Sequence, residues 1–188
     1  EGEECKYAET DLGKRLTEFM NRAKSVFFMS KEQLNMHKQH LVDFNNEKCF
    51  VLSSLFSDSF FAAIDSLRNK HKSSRNNKWM VMGSNSWVKG VQESEDWCKD
   101  NNLEYELVQN VKPGEFLQKL SSFKGLCFKP SGLDTCPRLV IEAKLLGCEL
   151  SLNENVQHTN EEWFNLDYEG MVSYLKSRPA FFWEKVFD

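Results

Sequence analysis

The chain has 188 residues, of which 28% are charged and 40% hydrophobic, with a formal net charge of −4. That length suits one domain with room for a small appendage. The acidic balance supplies no positive field for nucleic acid or an anionic membrane surface, and no apolar run approaches the ~20 residues that cross a bilayer.

In chain order, Leu12, Leu16, Phe19, Met20 and Ala23 fall at helical spacing over residues 12–23. Residues 25–29 form a short apolar strand. Ser30 then caps a helix running to about residue 42, with Gln33 at the capping-box position. A second strand covers 48–53 and a helix 57–70. The polar loop 71–77 leads into a strand at 79–82, and the basic side chains from Arg68 to Lys78 read as a solvated loop. A helix at 91–101 and a strand at 105–108 follow. Pro113 opens a helix that ends near Ser122. A strand at 126–128, a helix at 136–146 and a strand at 149–152 come next, and two helices near 168–176 and 179–187 close the chain.

Strands alternating with helices of this length predict an α/β fold. Its sheet is Rossmann-like and mainly parallel, with right-handed crossovers placing helices on both faces. Ligands of such sheets bind beyond the carboxyl ends of the strands. The residues that follow the strands are small or polar: Ser53-Ser54, Gly83-Ser84-Asn85-Ser86, Gln109-Asn110 and Lys129-Pro130-Ser131-Gly132. They suit the floor of a cleft.

The six cysteines, Cys5, Cys49, Cys98, Cys127, Cys136 and Cys148, form no C-x-x-C pair. Several lie in apolar runs, where a thiol behaves as a small hydrophobe. This reads as a reducing compartment, hence a cytoplasmic chain without a disulfide framework. His37 and His40 share a helix without a third ligand type, so no metal site is expected.

Residues 128–157 carry the densest signal. Gly132 permits a close ligand approach or a positive φ. The helix start at 135–137 exposes N–H groups suited to a phosphate, with Ser131, Gly132 and Thr135 just before it. Asp134 lies at that start and Glu142 within the helix. A carboxylate there can accept two ribose hydroxyls. Equally, Asp134 can be a simple cap, and Arg138 and Glu142 an i,i+4 pair in the less favourable order, worth roughly 0.2–0.5 kcal/mol.

The segment "PSGLDTCPRLVIEAKLLGCEL" resembles the signature of the group 1 retaining glycosyltransferases of GT-B fold, in Pro130-Ser131, Asp134, Glu142-Ala143 and Gly147. It departs by placing Asp at the first acid and Thr135-Cys136-Pro137 where Gly-Phe-Gly is usual. "KWMVMGS" resembles the second strand of the donor-binding half, and "VQNVKPGEFLQKLSSFKGLCFKPS" the approach to the signature. The resemblance implies three parts: residues 1–47 as a remnant of the acceptor half or a linker, 48–165 as the nucleotide-sugar-binding domain, and 166–188 as C-terminal helices.

It also implies roles. Glu142 binds the nucleotide ribose, and Asp134 lies near the transferred sugar as the catalytic-centre acid. Lys89 answers the diphosphate charge, although it follows the second strand where the family pattern has basic residues after the first; a surface lysine is the competing reading. Ser53, Ser54, Gly83 and Ser84 join Ser131, Gly132 and Thr135 around the phosphates, against ordinary strand-end capping. Trp87 is the aromatic candidate to stack on a base or sugar, whereas Trp97, Trp163 and Trp183 read as packing. His158 reads as a surface or hydrogen-bonding residue beside the cleft. The implied ligand is a nucleotide sugar, with no metal or further cofactor, and the implied partner is an acceptor domain, either elsewhere in the parent protein or on another chain. A non-catalytic nucleotide-recognition or protein-interaction module on the same scaffold is the alternative. A dinucleotide-dependent dehydrogenase lacks the G-x-G-x-x-G after the first strand.

Overall fold

The computed structural model describes residues 9–71 and 74–187. Cys5 and two positions of the basic 71–77 loop lie outside them.

The first helix, α1 (Asp11–Arg22), starts where the Thr10 hydroxyl accepts from the Gly13 N–H. Strand β1 (Val26–Phe28) runs into α2 (Lys31–His40). There the Ser30 hydroxyl accepts from the Gln33 N–H at 3.0 Å, and the Gln33 side chain accepts from the Met29 N–H at 2.8 Å. This is the reciprocal cap its spacing predicted, shifted back one residue on the return bond. Strand β2 (Cys49–Val51), helix α3 (Asp58–His71), strand β3 (Trp79–Met82), helix α4 (Val91–Asp100) and strand β4 (Tyr105–Val108) follow. Then come α5 (Pro113–Ser121), β5 (Gly125–Phe128), α6 (Arg138–Leu146), β6 (Glu149–Leu152) and α7 (Tyr168–Phe187).

Four strands form one parallel sheet in the order β4-β3-β5-β6. Side chains alternate across it, as the pleat requires. Met80, Leu126 and Phe128 join a large core with residues of α3, α5 and α6. Trp79, Val81 and Cys127 face the other way, onto Val91, Trp97 and Cys98 of α4. The chain thus starts in the middle of the sheet, steps out to β4 and returns across β3 to β5. The strand order reverses between β3 and β5, and a Rossmann-like sheet opens its ligand crevice at that reversal. The α/β class and the parallel sheet are as the sequence predicts.

Three expectations change. Strand β2 does not join the main sheet; it pairs in parallel with β1 alone, Phe27 opposite Phe50. The C-terminal pair of helices is one helix, with Pro179 inside it. Proline removes one backbone bond, but packing on both sides holds the helix through it. Met171 and Leu175 lie in the main core, while Phe182 meets Phe27 at 4.8 Å and Phe181 meets Phe50 at 6.1 Å. The basic loop is not merely solvated. Arg68 donates to the Leu145 carbonyl at 3.0 Å, and Arg75 donates to the carbonyls of Leu146 and Gly147. The two guanidinium groups therefore cap the C-terminal end of α6, where carbonyls lack helical partners and the dipole favours cations.

Cys98, Cys127, Cys136 and Cys148 are buried, and the five described cysteines are free thiols. Burial pushes Cys127 up to about 12 and Cys148 up to about 11. They behave as the small hydrophobes expected from their apolar runs. No helix among the described residues is long and apolar enough to cross a membrane.

One backbone contact fixes how α4 meets the loop after β5. Gly90 has φ +57°, and a Cβ there would lie 1.7 Å from the Lys129 carbonyl oxygen. Gly90→Ala should therefore cost more than the ~1–3 kcal/mol of a strained backbone alone, read as a lower urea midpoint. A variant as stable as the parent would show that the two loops separate freely.

Candidate functional site

The carboxyl ends of β3 and β5 are tied together by backbone and short polar side chains. After β3 the chain makes a tight turn at Trp87–Lys89, and Gly90 redirects it into α4. The Ser94 hydroxyl donates to the Gly90 carbonyl at 2.8 Å and accepts from the Lys129 N–H at 3.0 Å. The Ser131 N–H donates to the Val88 carbonyl at 3.0 Å. Its hydroxyl lies 2.6 Å from Glu93 Oε1 and 3.1 Å from the Trp87 carbonyl. Ser131 is thus an anchor between loops, and its hydroxyl is already engaged.

The other side of the same loop is held by residues after β6. Asn153 and Asn155 both donate to the Pro130 carbonyl, at 2.9 and 2.8 Å. The Asp134 N–H donates to the Asn155 carbonyl at 2.8 Å, and the Gln157 N–H to the Asp134 carbonyl at 3.0 Å. This forms an isolated parallel bridge between Asp134 and Val156. Asp134 is therefore fixed through its backbone, which leaves its side chain to be placed by charge. Its carboxylate meets Lys89 Nζ at 2.6 Å, with the Asp134 side chain 12% exposed and that of Lys89 41%. Asp134 is not the helix cap: α6 begins at Arg138 after Pro137, and no side chain caps it. The first N–H groups of α6 thus lack a side-chain acceptor.

Ser53 and Ser54 reach this helix start from the end of β2. Ser53 is 1% exposed and holds φ +69°, a conformation uncommon outside glycine. Its hydroxyl accepts from the Ser54 N–H at 2.6 Å. The Ser54 hydroxyl lies 3.5 Å from the Cys136 sulfur. Burial raises the Cys136 thiol, against lowering hydrogen bonds from Ser54 and Ser53. Two serines and the turn before α6 therefore form one cluster, with Thr135 half-buried beside it.

Glu142 sits on α6 with its side chain only 12% exposed. Burial pushes its carboxyl above the usual range, opposed by the Arg138 charge. The i,i+4 pair with Arg138 exists but is loose, with Nε and Oε1 3.7 Å apart, and the guanidinium packs over the Phe56 ring at 4.6 Å. Nearby groups therefore relieve little of the burial penalty.

Gly132 and Gly83 do not adopt positive φ; among the described glycines that belongs to Gly90 and Gly147. A Cβ on Gly83 would press on Gln109 at 3.0 Å, so this glycine serves packing. Ser84 is half-buried and its hydroxyl accepts from the Ser86 N–H at 3.1 Å. Trp87 is 76% exposed, whereas Trp163 is buried in an aromatic stack with Tyr174. His158 is the clear correction. It is fully buried, stacked on Trp163, and neither ring nitrogen has a hydrogen-bond partner. The loop before it is polar and suggested a surface, but the following Trp163-Phe164 folds back over the ring. Glu93 and Ser94, which anchor the loops, carried no signal beyond an ordinary polar helix face. Among the described residues no group of three His, Cys, Asp or Glu side chains is arranged to hold a metal ion.

Fold and site together define a Rossmann-like α/β domain with a polar, partly buried cluster at the carboxyl ends of its strands. No family model matches the chain, and no curated protein matches it.

Burial and the nearby Lys144 charge push His158 down from 6.5 to about 4. The folded state thus keeps the ring neutral while the unfolded chain takes up a proton. Stability is full above about pH 6.5 and is lost as pH falls towards 4. The loss from this residue is on the order of 3 kcal/mol. Urea titrations across that window should show a flatter pH slope for His158→Phe than for the parent; equal slopes would remove His158 as the cause.

Proposed function

We propose that this chain is the nucleotide-sugar donor-binding part of a retaining glycosyltransferase. The observation that carries this reading is Glu142, a carboxylate buried with only a loose ion pair to relieve it. A fold tolerates such a group chiefly where a ligand supplies the missing hydrogen bonds. Two ribose hydroxyls are donors of the right kind. The strained, buried Ser53 and the uncapped start of α6 support the same reading, since backbone strain and free N–H groups gather where an anion binds.

The pairing of β2 with β1 also bears on Lys89. With β2 outside the main sheet, β3 is the first strand of that sheet in chain order. Within the resemblance, however, β3 still matches the second strand of the donor-binding half, so Lys89 departs from the family pattern, which has its basic residues after the first strand. In this reading Lys89 and Asp134 hold each other until the donor arrives. The diphosphate then competes for the ammonium, and the freed carboxylate accepts a hydroxyl of the sugar. As the glycosyl group passes to an acceptor hydroxyl, Lys89 and the α6 N–H groups stabilise the charge on the departing diphosphate.

Calorimetry with nucleoside diphosphates and their sugars tests this. Glu142→Gln should weaken the nucleotide by about 1.5–3 kcal/mol, the worth of hydrogen bonds to a charged group. The same change should stabilise the free protein at neutral pH, because the raised carboxyl penalises the folded state above its own titration. Asp134→Asn should weaken the nucleotide sugar more than the bare diphosphate. No binding of any common nucleotide at millimolar concentration, or equal losses for both ligands in both variants, would overturn the assignment.

A further inference from the structure

On the α4 side of the strand-order reversal lies a depression of about 390 Å³, within the ~300–1,000 Å³ of small-molecule sites. Ser84, Asn85, Trp87, Gln92, Glu93 and Ser131 line it. Glu142, Ser53, Ser54 and the start of α6 take no part in it, whereas Ser84 and Ser131, expected from the sequence beside the phosphates, and Trp87, expected against a base or sugar, do.

Its chemistry is specific in three respects. Trp87 presents a broad aromatic face at 76% exposure, more than any other large hydrophobic among the described residues. A Trp ring offers ~150–250 Å² of burial to whatever covers it. Around it stand hydroxyl and amide groups that both donate and accept hydrogen bonds. Asn85 Oδ1 accepts only a long contact from Gln109, at 3.4 Å. The Glu93 carboxylate accepts from the Ser131 hydroxyl at 2.6 Å. Thirdly, among the described residues that line the depression, Glu93 is the one charged side chain. Lys89, two positions after Trp87, is held by Asp134 at 2.6 Å. An anion would meet a carboxylate with no cation to offset it.

We infer that this depression binds a neutral sugar ring, its C–H face stacked on Trp87 and its hydroxyls hydrogen-bonded by Asn85, Gln92 and Glu93. An aromatic plane flanked by amides and one acid fits a polyol with an apolar face. A phosphate finds no partner there. The inference rests on Trp87 and its polar neighbours, not on Glu142.

Saturation-transfer NMR on the full chain tests this. The probes are methyl glucoside, methyl mannoside, methyl galactoside, N-acetylglucosamine, maltose and cellobiose, with uridine, adenosine and inorganic diphosphate as comparisons. At least one saccharide should receive saturation at its ring C–H protons and bind with millimolar affinity. Trp87→Ala should weaken it by at least about tenfold, near 1.4 kcal/mol, and Trp87→Phe should restore part of that. Glu93→Gln should weaken it less, while Glu142→Gln should leave it unchanged. Trp87 is exposed, so its replacement leaves the core intact. Failure of every saccharide at high millimolar concentration would overturn the inference, as would binding indifferent to Trp87→Ala, or a nucleoside that displaces the sugar and itself depends on Trp87. Loss of nucleotide binding in Glu142→Gln with sugar binding retained would separate the two sites.

Discussion

The approach of Gly90 to the Lys129 carbonyl is the constraint on which the rest of the site depends. Only a residue without a Cβ fits there, and its left-handed backbone turns the chain into α4. Because the two loops touch, Ser94 can bridge them and Ser131 can reach the turn before α4. The loop after β5 is then pinned from the other side by Asn153, Asn155 and the Asp134–Val156 bridge. Functional side chains on such a loop stand on a rigid base, as precise chemistry requires.

Electrostatics follow from that geometry. The backbone delivers the Asp134 carboxylate to Lys89, in a half-exposed setting where a salt bridge adds little to stability. Glu142 and His158 are opposite cases of burial. The first keeps an acid where water is scarce, and its carboxyl titrates higher. The second keeps a base there, and its ring titrates lower. Both work against the stability of the fold in part of the pH range, but only Glu142 lies on α6, the helix whose start gathers the serine cluster.

The pair β1 and β2 shows how the chain holds a marginal element. Two strands alone are barely stable in water. Here Phe27 and Phe50 are covered by Phe182 and Phe181 of α7. The Ser30 hydroxyl donates to the Gln157 side chain at 2.8 Å, and the Lys31 N–H donates to Glu161 at 2.6 Å. Helix α7 therefore spans both sheets, and the packing on its two halves outweighs the bond lost at Pro179. The same arrangement carries Ser53 and Ser54 from β2 to the start of α6.

The alternation of apolar runs and helical spacings determined the element order, the parallel class and the end of the sheet where polar residues gather. These rest on local periodicity, which a sequence displays directly. Ser30 with Gln33 announced a helix start because capping is a contact between near neighbours. Partnership was different. Residues 49–51 read as a strand, but no local feature tells β2 to pair with β1 rather than β3. His158 looked polar because its neighbours are, and only the return of Trp163 over the ring buries it. Asp134 and Lys89 stand 45 positions apart, and nothing near either one in the chain announces the other. Pairings across such separations are decided by packing after loops close. Tertiary structure alone therefore fixed which carboxylate meets Lys89 and which histidine is dry.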